Sequence, residues 1–358
     1  SDLTVSATAS ATSPDAVPGN NAATRVTSLA PSAPSAVPIK GIISTIATSD
    51  SSLVPGLGGT RFATGVIAGM PSPSPDRSRF LQTWDTDQPT ASDQVIVQSV
   101  NGTLSVVVQE GVTVLPSGAT PEGSFDALVD INNAGQYVFS GGDNGPTTSD
   151  DYVVKWDGTQ FVDVAREGAP APAATGGLAF GATAGAARIA ANGSVSFVHN
   201  VTGLTTTTDT FVFRDDGTTI LAQEGVAIPT GQLNPGFSYK AFDSAGPATG
   251  VFFNADHSRF LLAGTVNDAT TVDRIVAVDN DVKIQEGVIL PGSTFGSPAD
   301  TPTPIGAARM ESNGDWLVYG SNDDGQDWVV RNGVVVAQTD APITPGNTET
   351  YSQVPFST

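Results

Sequence analysis

One short phrase recurs along the chain and restricts what it can fold into. Gln109-Glu110-Gly111-Val112-Thr113-Val114-Leu115-Pro116 returns as Arg166-Glu167-Gly168-Ala169-Pro170, as Gln223-Glu224-Gly225-Val226-Ala227-Ile228-Pro229 and as Gln285-Glu286-Gly287-Val288-Ile289-Leu290-Pro291. Gln338-Thr339-Asp340-Ala341-Pro342 is a weaker copy. The steps from Glu110 to Glu167, Glu224, Glu286 and Asp340 are 57, 57, 62 and 54 residues. Self-similarity at this spacing signals a tandem array of supersecondary units, each burying its apolar face on its neighbours.

Each unit divides into the same four parts. Residues 125–131 read as a first strand, 136–141 as a second, 151–156 as a third and 160–165 as a fourth. Asn132-Asn133-Ala134-Gly135 turns the chain between the first two, and Asp157-Gly158 between the last two. Asn101-Gly102, Asp215-Asp216-Gly217, Asp279-Asn280-Asp281 and Asn332-Gly333 occupy the latter place in the other units. Four antiparallel strands per repeat is the pattern of a β-propeller blade. High glycine (39) and proline (25) suit many short strands joined by turns.

Five complete units run from about residue 58 to 346. Residues 39–50, followed by Pro55-Gly56, match the last strand and punctuation of a unit, and residues 348–356 match a first strand. The expected fold is therefore all-β: a six-bladed β-propeller of four-stranded antiparallel blades over residues 39–358, its ring closed by both termini. Residues 31–38 form a Pro/Ser/Ala linker. Before it, Leu3, Val5, Ala7 and Ala9 alternate with polar residues, and residues 22–29 read as a second strand. This two-strand extension, residues 1–30, is expected to supply the missing middle strands of the sixth blade, in cis or from a neighbouring subunit. In trans the contact is head-to-tail and grows a filament.

Thirty-six acidic against 15 basic residues give a net charge of −21. Such a surface repels phosphate backbones and anionic lipid, which argues against nucleic acid as a partner. No apolar run of about 18 residues exists, so no membrane insertion is expected. The absence of cysteine rules out a disulfide scaffold and a thiol enzyme. With few lysines, abundant Ser, Thr, Gly and Asp, and a start at Ser1 that points to processing, this composition predicts an extracellular or cell-surface location.

Asn133-Ala134-Gly135-Gln136-Tyr137-Val138-Phe139, Asn192-Gly193-Ser194-Val195-Ser196-Phe197 and the Ala165-Arg166-Glu167-Gly168-Ala169-Pro170 type of phrase resemble the repeats of an uncharacterised family of bacterial exported tandem-repeat proteins, with NxxGxxxF and EGxxxP-type units. The resemblance covers residues 58–346 and implies a propeller without implying an activity. The N-terminal 30 residues resemble the closing hairpin of immunoglobulin-like bacterial surface repeats.

The repeated Glu110, Glu167, Glu224 and Glu286, with Asp340 as the variant, could form a ring of cation-binding carboxylates. Their recurrence once per unit favours a structural role, with Gly111, Gly168, Gly225 and Gly287 supplying the turn. For calcium, the best oxygen cluster is Asp323, Asp324 and Asp327; other acidic groups are Asp215-Asp216, Asp279 with Asp281, and Asp143 with Asp150 and Asp151. Beyond calcium no cofactor is expected. His199, at a strand end, and His257, in a turn, read as ordinary surface or strand residues, since neither has a metal-ligand partner at suitable spacing. Trp84, Trp156, Trp316 and Trp328 fall at strand positions. No nucleophile or phosphate-binding motif occurs. The reading that follows is a non-enzymatic structural or adhesive protein that self-associates. The alternatives are a carbohydrate-binding propeller with a polysaccharide partner and, after it, a glycoside hydrolase or lyase with paired carboxylates.

Overall fold

The computed structural model describes residues 3–8, 22–27, 52–63, 71–123, 125, 129–171, 176–229, 236–242, 250–269, 271–290, 302–322, 325–342 and 350–351. The chain divides into two compact units, Ser1–Thr45 and Ile46–Thr358. In the first, β1 (Leu3–Thr8) pairs antiparallel with β2 (Ala22–Thr27), in register from Leu3 against Thr27 to Thr8 against Ala22. The second unit is all-β; among the described residues it has no helix.

Five antiparallel sheets follow one another in the second unit. The first contains β3 (Ser72–Pro73), β4 (Arg79–Asp85), β5 (Gln94–Val100) and β6 (Thr103–Gln109). The second contains β7 (Pro121–Glu122) and β8 (Asp130–Ile131), which both pair with β9 (Tyr137–Asp143), then β10 (Asp151–Trp156) and β11 (Phe161–Arg166). The third is β12 (Phe180–Ile189), β13 (Val195–Val201), β14 (Thr210–Arg214) and β15 (Thr219–Gln223). In the fourth, β16 (Tyr239–Ala241) and β17 (Gly250–Phe253) share β18 (Phe260–Val266), followed by β19 (Arg274–Val278) and β20 (Asp281–Gln285). The fifth is β21 (Pro302–Met310), β22 (Trp316–Asn322), β23 (Asp327–Arg331) and β24 (Val334–Gln338). Strand order equals chain order in each sheet, the meander of a β-propeller blade.

The core lies between successive sheets. Val138, Val153 and Ala165 of the second sheet pack with Phe180, Phe197, Phe211 and Phe213 of the third. Val198, Val212 and Ala222 of the third pack with Tyr239, Leu262 and Ile275 of the fourth. Leu261, Val276 and Ile284 of the fourth pack with Ile305, Trp316 and Trp328 of the fifth. Successive side chains of a strand point to opposite faces, so a central strand buried on both faces needs a continuous apolar run. Leu261-Leu262-Ala263 and Tyr152-Val153-Val154 are such runs, each at most 1% exposed.

The fourth strand of every sheet carries a bulge at the same place. The register against the third strand shifts after Ile96, Val153, Val212, Val276 and Val329. Each shift leaves one extra residue: Val107, Val164, Leu221, Lys283 or Val336. A bulge bends and twists the outermost strand, which makes it a poor template for edge pairing.

First strands extend further toward the junction than the sequence indicates. Periodicity marks residues 186–190 and 250–253 as first strands in the third and fourth units, whereas pairing begins at Phe180 and Tyr239. Register shifts between Phe180, Ala184 and Ala187 erase the alternation that would reveal this half.

At the junctions, glycine is required twice over. Gly111, Gly168, Gly225 and Gly287 have φ between +65° and +76°. A Cβ at Gly111 would lie 2.3 Å from the Ala91 carbonyl oxygen, and one at Gly168 2.9 Å from that of Thr148. We expect Gly168→Ala to lose about 2–4 kcal/mol of stability from left-handed strain and overpacking combined. Gly325→Ala, at the similar φ of +73° with open space around it, serves as the strain-only control. Equal losses in thermal unfolding would contradict the close approach.

Candidate functional site

The repeated phrase is a junction built from three side chains and two backbone bonds. In its first bond, the N–H of Glu110, Glu167, Glu224 or Glu286 donates to the first residue of the sheet's own third strand: Gln94, Asp151, Thr210 or Arg274. In the second, the glycine N–H donates to the next sheet's first strand, from Gly111 to Pro121, Gly168 to Phe180 and Gly225 to Tyr239, at 2.8–2.9 Å. The residue before Glu ties down the loop between second and third strands. Gln109, Arg166, Gln223 and Gln285 donate to the carbonyls of Ser92, Ser149, Thr208 and Val272.

The same bonds place Asp340 with the glycines, correcting its alignment with the glutamates. Thr339 N–H donates to Asp327, as each Glu does in its own sheet, and Asp340 N–H donates to Tyr351, as Gly111, Gly168 and Gly225 do to the next. Asp340 has φ +67°, a conformation that a short polar side chain tolerates, and its carboxylate accepts from Gln326 Nε2 at 3.3 Å. At the other end, Phe62 N–H donates to Ser52, the bond that Phe180 makes to Ala169 and Tyr239 to Val226.

Where the junction carries Glu, the residue just before the third strand is an acid: Asp93, Asp150, Asp209 or Asp273. Where it carries Thr339, that residue is Gln326. Burial pushes the Glu110 carboxyl above its usual range, and Asp93 pushes further, against the pull of N–H bonds from Gln94 and Gly123. Burial, then a carboxyl–carboxyl hydrogen bond with Asp150 and its charge, raise Glu167. Burial raises Glu224, opposed by a Thr210 hydrogen bond and reinforced by the charge of Asp209.

Among the described residues, Asp150, Asp151 and Glu167 are the carboxylates grouped closely enough for a metal, with ligand atoms within 4.8 Å of one another. An all-oxygen set of this kind suits a hard cation such as calcium. Asp323 and Asp324 lie outside the described residues. The Asp327 carboxylate already accepts from Ser321 Oγ at 3.0 Å and Tyr319 Oη at 3.4 Å.

Both histidines are buried: His199 is a strand residue of β13, as its sequence position indicates, and His257 is a turn residue that is enclosed rather than at the surface. His199 is fully enclosed and packs 4.9 Å from the Phe180 ring; its Nδ1 meets the Asn200 carbonyl at 2.9 Å. His257, in a left-handed turn at φ +56°, meets Ser196 Oγ of the preceding sheet through Nδ1 at 2.8 Å. Desolvation lowers both rings to about 4, so they stay neutral. A Ser–His pair is the core of many nucleophilic sites. Here Ser196 and His257 are 0% and 4% exposed, and no substrate reaches them. The pair fastens one sheet to the next. Asp130 does likewise: it accepts from Ser72 Oγ of the first sheet and Ile189 N–H of the third.

An open depression of about 430 Å³ lies at the turn between β21 and β22, lined by Glu311, Ser312, Asn313, Asp315, Leu317 and Arg331. The Arg331–Asp315 ion pair, at 2.6 Å, occupies part of it, and its lining holds no aromatic platform for a sugar.

A family model matches residues 78–272, more than half of the chain. The chain belongs to the family of unknown function DUF7453. The matched region runs from the second strand of the first sheet to just before the third strand of the fourth. A search of curated proteins finds no match. Among solved structures, the chain is similar to the Cps50 (Swd1) β-propeller domain of Myceliophteria thermophila at 8% identity and TM-score 0.37, covering 79% of this chain and 76% of that one. It is similar to the six-bladed fucose-recognising lectin of Aleuria aurantia at 10% and 0.32, covering 73% and 72%. It is also similar to the α-L-arabinofuranosidase Arb93A of Fusarium graminearum at 11% and 0.33, covering 72% and 75%. At these scores the likeness carries nothing about ligand or activity.

The buried acids and histidines give stability opposite pH dependences. A carboxyl raised in the folded state stabilises fully below its ordinary value of 4.5, and that contribution is lost as pH rises through the folded value. A histidine lowered from 6.5 to about 4 stabilises fully above 6.5, and its contribution is lost as pH falls toward 4. Glu167→Gln is therefore expected to gain Tm relative to the parent chain between pH 4 and 7. His199→Phe should flatten the acid limb, by on the order of 3 kcal/mol. Parallel Tm–pH curves for either variant and the parent would contradict the assignment.

Proposed function

We propose that this chain is a non-enzymatic extracellular structural or adhesive protein: a six-bladed propeller whose sixth blade is closed by both termini and which self-associates head-to-tail through its N-terminal strand pair. The observation that carries this reading is the pairing of β1 and β2 with each other alone among the described strands. An isolated two-stranded sheet is marginally stable in water and gains most from adding to another sheet.

Blade number is supported by the junctions. Six places carry junction bonds or the junction glycine, and five sheets lie between them. A chain that enters and leaves its array through junctions has a fourth strand before the first and a first strand after the last. Residues 39–50, which match the former, lie outside the described residues; Thr350 and Tyr351 begin the latter, with Pro342 bridged to Thr350. Against an enzyme, the acidic groups recur with the repeat, whereas a catalytic site departs from repeat symmetry. An extracellular setting is supported by the acidic, cysteine-free composition.

Light scattering after size exclusion, with negative-stain imaging, tests the reading. The intact chain should form linear oligomers that dissociate on deletion of residues 1–36, with the melting of the sheets unchanged. A strictly monomeric chain, indifferent to that deletion, would overturn it.

A further inference from the structure

The last sheet repeats the apolar row that the preceding sheets bury, with Val329 at its centre 6% exposed and its flanks and rim more open. The third strands of the first four sheets each place one residue toward the following sheet: Ile96, Val153, Val212 and Val276, all fully buried. Their fourth-strand partners in register are Val108, Ala165, Ala222 and Ile284. The fifth sheet repeats the pair as Val329 and Ala337, flanked on β22 by Leu317 and Tyr319. Leu261, which holds the place of Leu317 one sheet earlier, is fully buried, whereas Leu317 is only half-buried.

At the bulge, Val336 stands where Val107, Val164 and Leu221 pack half-buried toward the following sheet, so the fourth strand here differs from these counterparts in exposure. Val334 and Val336 are 61% and 49% exposed. They stand where β20 carries the ion pair of Asp281 and Lys283. At the exposed positions of the other fourth strands, β6 has Thr103 and Ser105, and β11 has Asp163 paired with Arg166. Among the described fourth strands, β24 alone exposes large apolar side chains. Exposed valines at Val112 and Val226 lie in junction turns instead, where their N–H groups already bond to Gln109 and Gln223.

We infer that this face of the fifth sheet, with Val334 and Val336 at its rim, is the acceptor surface for the β1–β2 strand pair of a second copy of the chain. The inference rests on the head-to-tail reading and names its binding site. Continuity sets the kind of occupant: the four preceding faces of this type are each covered by an antiparallel sheet. The β1–β2 pair is such a sheet. Its strands have six residues each, against five to seven in the second and third strands of the propeller sheets. In the sequence, Leu3, Val5 and Ala7 alternate with polar residues. The 18 residues between Thr27 and Ile46 can span up to ~60 Å, enough to reach a neighbour. The bulge at Val336 keeps the donor from extending β24 edge to edge, so it lies against the face.

Two variants test this. Val334→Asp with Val336→Lys restores the charges found on β20 at exposed positions, where folding tolerates them. Assembly should weaken at least tenfold by light scattering, with the melting temperature unchanged. The chain has no cysteine, so Val336→Cys can be mixed with separate chains bearing Leu3→Cys, Val5→Cys or Ala7→Cys. Under oxidation, covalent heterodimers should form with at least one donor position and not with a Thr103→Cys control. Unchanged assembly of the Asp/Lys variant, together with no cross-link, would overturn the acceptor site. If deletion of residues 1–36 still abolished assembly, the head-to-tail reading would survive and only its acceptor would be wrong. If the intact chain were monomeric, the reading itself would fail. Disulfides formed only within one chain carrying both cysteines would place the strand pair in cis and overturn the second-copy occupant.

Discussion

The structure depends on how the chain passes from the fourth strand of one sheet to the first strand of the next. Each passage requires the backbone to turn sharply while keeping its polar groups bonded, because it runs beside a buried core. Two adjacent N–H groups solve this by bonding in different directions, one to the sheet being left and one to the sheet being entered. Adjacent amides can diverge in this way when the second residue takes a left-handed conformation, and the loop beside it leaves no room for a Cβ. Glycine follows from both demands, and the period of the sequence follows from the period of the passage.

Packing completes what the junction begins. The central strands of the second, third and fourth sheets are buried on two faces, so each of these sheets is held by both neighbours and none is an independent domain. Fully burying one large apolar side chain contributes about 1.5–3 kcal/mol, and each interface between sheets buries about ten. Side-chain ties on the turn side add direction to this. Lys155 reaches the Gly193 carbonyl and Asp216 of the next sheet, Arg214 reaches the His257 carbonyl, and Arg259 reaches that of Gly314. The ties differ in chemistry from sheet to sheet, while the junctions stay alike.

Much of this was legible in the sequence. Second, third and fourth strands show as apolar runs ending in Asn-Gly or Asp-Gly turns, because those turns need positive φ and those runs need burial on both faces. The first strands were half hidden: around Phe180 and Tyr239 the chain is glycine- and alanine-rich or irregular, and register shifts destroy alternation. Asp340 was aligned by charge with the glutamates, although its backbone belongs with the glycines; only the hydrogen bonds reveal the one-residue offset. The burial of His199 and His257 left no sequence signal. His199 continues an apolar run that tolerates a neutral ring, and the partner of His257 lies 61 residues away. The acids facing the junction glutamates, by contrast, recur at a fixed place before the third strand and could have been found by aligning the repeats.

The account rests on the junction amides being closed by the neighbouring sheet rather than by water. Native-state hydrogen exchange of Gly111, Gly168 and Gly225 tests that most directly. Their protection should equal that of central-strand amides such as Val153 and Val276, since opening a junction would require separating two sheets. Exchange as fast as in the exposed loop at Thr205, with the central strands still protected, would show that the junctions open alone and that the repeated glycine serves something other than the fold.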